Sequence, residues 1–122
     1  MQAPWSELKQ TEEAALRQRR KAKPRTDTLS RLRRLVTECG QDRDASAAIC
    51  YHGALALLFE SEQDWPNALK HRRIEIRKIR RLYELERENP TGEYATQNYR
   101  QRDFQERLKI LEDIKAKSLT KR

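Results

Sequence analysis

Residues 45–59 read ASAAICYHGALALLF, and only Ser46 and His52 among them are neither apolar nor glycine. A stretch that long with almost no polar position does not suit an amphipathic surface helix. As a helix it is apolar all round and must be enclosed by other protein. At about 1.5 Å per residue it spans roughly 22 Å, the thickness of a small domain. Ala47, Ala48, Gly53, Ala54 and Ala56 are small enough for neighbouring helices to approach closely. The stretch predicts the central post of an all-α fold, starting at an Asp44 N-cap and ending near Ser61.

The flanking sequence supplies the helices that would surround this post. After Glu62-Gln63-Asp64, Asp64 is suited to cap a helix with Trp65 and Pro66 in its first turn. That helix continues to about Glu88, where Asn89-Pro90-Thr91-Gly92 breaks it, and Leu69, Ile76, Ile79, Leu82 and Tyr83 form its buried stripe. The post and this helix form an antiparallel hairpin. Upstream, a helix from Asp27 or Thr28 to Gly40 buries Leu29, Leu32, Leu35 and Val36. A first segment, from Trp5 to Ala22, has only Trp5, Leu8 and Leu16 as sizeable apolar side chains and reads equally as a docked helix or a basic arm. A last helix runs from about Glu93 to Lys117 or Ser118, with Phe104, Leu108, Leu111 and Ile114 on one face and Tyr94 and Tyr99 extending it. The expected organisation is a basic N-terminal helix or arm over 1–26, a helical domain over 27–118 and a frayed basic tail over 119–122. The fold class is all-α, a small bundle of four to five helices.

Composition agrees with that class. Only 3 of 122 residues are Gly and 4 are Pro, too few for a turn-rich β fold. Charged residues make up 38% and hydrophobic residues 36%, so the core must be lean. The net charge of +8 is uneven, being +6 over 1–34, −5 over 35–64 and +7 over 65–122. Such a basic excess favours polyanionic partners such as nucleic acid, acidic protein surfaces or anionic lipid. The N-terminus lacks the apolar run of a signal peptide, and no apolar stretch is long enough to span a bilayer. A soluble, cytoplasmic protein is expected. Cys39 and Cys50 lack zinc-ligand spacing, even counting His52 and His71, and read as buried thiols.

The hairpin resembles a single tetratricopeptide repeat of the kinesin-light-chain type. Leu55, Ala56 and Phe59 match the Leu, small residue and aromatic of the motif's first helix, and Trp65 and Ala68 match its turn aromatic and following Ala. The resemblance covers about 34 residues and departs at three positions. His52 replaces the first Trp, and Arg72 and Glu75 stand where the second helix takes an aromatic and a small residue. No second copy follows at the repeat period, and Gly92-Glu93-Tyr94 echoes the turn only 29 residues after Trp65. The resemblance implies a helical hairpin in an adaptor or scaffold.

The outer side of the second hairpin helix carries the candidate binding residues. Lys70, Arg72, Arg73, Arg77, Arg80 and Arg81 lie within twelve residues, with Lys78 and His71 among them and only Glu75 opposing. Arg73, Arg77, Arg80 and Arg81 fall at i, i+4, i+7 and i+8, which makes a ridge. Guanidinium groups present planar forks suited to carboxylate or phosphate. Arg17, Arg19, Arg20 and Lys21 form a possible auxiliary anion-binding cluster. Catalytic motifs are missing: no Gly-rich phosphate loop, no G-x-S-x-G and no H-E-x-x-H. His52 reads as a core histidine. No enzyme, cofactor or metal site is expected. The expected function is that of a non-catalytic adaptor taking an acidic protein or peptide on the arginine face. The alternatives are a nucleic-acid-binding accessory protein using the same cations, and a homodimer paired through its long last helices.

Overall fold

The computed structural model describes residues 4–40, 45–90 and 101–120. Among these, five helices and no strands occur: α1 Pro4–Lys21, α2 Thr26–Cys39, α3 Ala45–Ser61, α4 Trp65–Glu88 and α5 Gln101–Thr120. The protein is an all-α bundle. Helix α3 packs most extensively on α4 and also against α1 and α2, while α1 lies on α2 and α4 on α5. Its residues 47–50, 52–54 and 56–58 are buried, with Tyr51, Leu55 and Phe59 partly so. The enclosed post predicted from its all-round apolarity is what the fold contains.

Two apolar clusters make the core. The larger joins Leu8, Ala15 and Leu16 of α1 to Leu32, Leu35 and Val36 of α2, Cys50, Ala54, Leu57 and Leu58 of α3, Trp65 and Ala68 of α4, and Ile110 and Ile114 of α5. The smaller holds Ile49, Ile76, Ile79, Leu82 and Phe104 between α3, α4 and α5. Each buried Leu or Ile contributes about 1.5–3 kcal/mol by leaving water, which is how so few apolar residues hold five helices. Helix α1 belongs to this core and is a docked helix rather than an arm.

The helix ends show where local chemistry suffices and where neighbours take over. Asp64 caps α4 as expected, its side chain accepting from Asn67 N–H. The α3–α4 turn closes with Asp64 N–H on Phe59 O and Gln63 N–H on Glu60 O, placing Gln63 at φ 60°. Gly40 ends α2 at φ 65°, a left-handed conformation that Gly adopts without steric cost. The start of α2 departs from expectation. The helix begins at Thr26, and neither Asp27 nor Thr28 is its N-cap. Gln18 of α1 supplies the missing contacts, accepting from Arg25 N–H and donating to Thr28 Oγ1. At the other end of the chain α5 continues through Thr120, two residues past the expected stop, with Leu119 exposed. The proposed Asp44 cap, the start at Glu93, Tyr94 and Tyr99, and residues 121–122 lie outside the described residues.

Candidate functional site

Helix α4 has two unlike charged faces. Its buried stripe runs through Trp65, Ala68, Ile76, Ile79 and Leu82, which leaves the opposite side to solvent. On that side Lys70, Arg73, Arg77, Arg80 and Arg81 are exposed. Arg81 is tied to Glu84 at 3.2 Å and lies near Glu88, and the Arg80 guanidinium sits over the Phe104 ring at 5.5 Å. Arg73 and Arg77, one turn apart, make no ion pair with any described carboxylate. They differ in this from the exposed arginines of α2, where Arg31 and Arg34 meet Glu7 and Arg33 meets Glu62. From Lys70 to Arg81 the cationic row is about 16 Å long, three turns of helix.

Arg72 is a correction to the sequence reading. Placed there among the outward cations, it is completely buried, as is Glu75. Its Nη1 pairs with Glu75 Oε1 at 2.6 Å, and Glu75 Oε2 accepts from Arg107 Nε of α5 at 2.8 Å. Arg107 also donates to the Asp103 carbonyl within its own helix. Glu12 of α1 completes the cluster, 4% exposed, with its Oε1 3.6 Å from the Cys50 thiol. Burial and the nearby Glu75 push the Glu12 carboxyl up to about 7, against the opposing pull of Arg107 and Arg72. Gly53 of α3 makes this convergence possible. Glu12 Oε2 and Glu75 Oε2 both occupy space that a Cβ on residue 53 would need. All of these residues fall in apolar-stripe register in sequence: Glu12 between Leu8 and Leu16, Arg107 three after Phe104, and Arg72 and Glu75 on the Ala68–Ile76–Ile79 side. That register was the signal available for finding them.

The auxiliary basic cluster does not assemble as a unit. Arg19 is held by Glu60 at 2.7 Å with Asp113 near it, and Arg20 pairs with Glu106. Hydrogen bonding to Arg20 lowers the Glu106 carboxyl from its usual range. Arg17 and Lys21 are exposed. A cleft of about 700 Å³ between α1 and α5 is lined by Arg19, Arg20, Arg102, Asp103, Glu106 and Asp113, a wall of both signs that favours no single ion.

His52 is buried on α3 and its Nδ1 lies 3.0 Å from Nδ1 of His71, whose ring stacks on Phe59. In a neutral pair one nitrogen donates and the other accepts. Burial, with the charge of Lys70 beside it, lowers the His71 pKa. The pair closes the α3–α4 seam. Among the described residues no group of three or more His, Cys, Asp and Glu side chains is placed to hold a metal ion, and no helix is long and apolar enough to cross a membrane.

Compared with known proteins, the chain matches no family model, no curated protein and no solved structure. What the site can do therefore rests on its own geometry: a row of exposed cations along α4, backed by a buried charge cluster in which Glu75 of that helix pairs with Arg107 of α5.

Proposed function

We propose that the chain is a non-catalytic helical adaptor that takes an acidic protein or peptide segment along the outer face of α4. The observation that carries this reading is the exposure of Arg73 and Arg77 with no described carboxylate to neutralise them, on a helix where Arg72 and Arg81 are paired with glutamates. Like charges a turn apart repel by a few tenths of a kcal/mol, a cost that an acidic partner turns into attraction. Lys70 and Arg80 extend the contact to either side, and Arg81 joins by exchanging Glu84 for a partner carboxylate. Arginine forks favour paired carboxylates geometrically as well as electrostatically. The tetratricopeptide-like pattern of the α3–α4 hairpin supports the same role. The adaptor works in a reducing, cytoplasmic setting, in keeping with Cys39 and Cys50 as cysteines outside any disulfide among the described residues.

Fluorescence anisotropy with a labelled Glu-rich peptide, and separately with a single-stranded oligonucleotide of similar length, tests the reading. The peptide binds the wild-type chain, and Arg73→Glu with Arg77→Glu weakens it at least tenfold without changing the circular dichroism spectrum. Unchanged affinity in the double variant makes the ridge a solvated face and ends the proposal. Tighter capture of the oligonucleotide than of the peptide hands the surface to nucleic acid instead.

A further inference from the structure

Glu12 is a buried carboxyl left without a complete set of partners. Its Oε1 faces the Cys50 thiol, and its Oε2 has no hydrogen-bond partner among the described residues. Of the two guanidiniums in its neighbourhood, Arg72 of α4 holds one oxygen of Glu75 and Arg107 of α5 the other, and Arg107 also donates to the Asp103 carbonyl. Both oxygens of Glu75 are thus held by guanidiniums, whereas Glu12 Oε2 accepts no hydrogen bond from a described residue. The two carboxyl groups meet over Gly53 of α3, which has no Cβ to keep them apart. A neutral Glu12 has a proton to place between them. An ionised Glu12 sets a second buried negative charge beside Glu75 with nothing donating to its Oε2.

We propose that Glu12 is a proton-operated latch between α1 and the rest of the bundle. Protonated, its carboxyl donates to Glu75 and seats α1 on the Gly53 face of α3; ionised, it repels Glu75 and loosens α1. The groups facing it are Cys50 from α3, Arg72 and Glu75 from α4, Arg107 and Asp103 from α5, and Lys9, Glu13, Arg17 and Arg20 of its own helix. A cleft of about 210 Å³, lined by Glu12 and Arg107 between α1 and α5, gives solvent protons a route to the site. The carboxyl is displaced upward, from 4.5 to about 7, by burial first and Glu75 second. A raised folded-state value means that the latch contributes fully below the ordinary carboxylate range. It is lost as pH rises through about 7, so α1 is held tightest in mild acid.

Carboxyl-carbon NMR of the full chain with labelled glutamate reads the latch directly. Glu12 titrates with a midpoint within about one unit of 7; a midpoint near 4.5 overturns the proposal. Amide hydrogen exchange at pH 6 and pH 8.5, corrected for intrinsic rates, gives the mechanical readout. Protection of α1 falls about tenfold relative to α3 and α4 as ionisation weakens its docking. The isosteric Glu12→Gln keeps α1 protected at both values, and an equal loss in the variant and the wild type overturns the latch. If that variant does not fold, Glu75→Gln lowers the Glu12 midpoint by removing the like charge, and an unmoved midpoint overturns the coupling.

Discussion

Arg72 and Arg73 are adjacent in sequence and lie on faces of α4 with opposite environments. Arg72 points into the bundle, where Glu75 meets it and Arg107 arrives from α5 on the other side of that carboxylate. Arg73 points to solvent, in line with Lys70 and Arg77, and no described carboxylate approaches it. The inward charges cost several kcal/mol each to desolvate and are tolerated only while every member stays in place. The outward charges cost almost nothing, because water solvates them, and are free to be reorganised by a partner. One helix therefore carries one charge set paired inside the bundle and another left facing water.

The sharpest way to break this comparison is to remove one inward partner. Arg72→Ala leaves Glu75 with Arg107 alone in a dry site, and a loss of about 3–5 kcal/mol is expected in urea denaturation. Replacing Arg72 and Glu75 together with Met and Leu should cost less than either single truncation, since no charge is stranded. Gly53→Ala comes next. In an open helix that change stabilises by about 1 kcal/mol. Here the new methyl meets the Glu12 and Glu75 carboxylates, so a net destabilisation of about 1–3 kcal/mol is expected. The smallest effect belongs to the outward face: Arg73→Ala should change stability by less than about 0.5 kcal/mol while weakening acidic-peptide capture. A large stability loss at Arg73 erases the distinction between the faces.

Much of the architecture could be read in advance because it follows from local chemistry. The Asp64 cap, the Gly40 stop and the enclosed α3 post each depend on residues within a turn or two of one another. The start of α2 could not be read in this way, because its capping contacts come from Gln18, seven residues upstream on another helix. The ridge was legible in part. The spacing of Arg73, Arg77, Arg80 and Arg81 singles out one face, and Arg72 falls outside that spacing, yet a dense basic run drew it in. The buried cluster went unseen because Glu12, Arg72, Glu75 and Arg107 are separated by up to 95 residues, so their stripe register marks each position singly but not that they meet.

The same cluster bears on the repeat resemblance. At the positions where a tetratricopeptide repeat takes an aromatic and a small residue, Arg72 and Glu75 are buried and Glu75 meets Arg107 of α5. The Glu75–Arg107 pair binds α5 to the hairpin at those positions.

By itself the sequence determined that this chain is helical, where most of its helices end, and that one of them must be enclosed, because periodicity, caps and breakers act over a few residues. Only the tertiary structure decided which charges are spent inside and which face water. Register can mark an inward position, but whether a charge is kept there depends on the carboxylate or guanidinium it meets from another helix, and that pairing is not recorded locally.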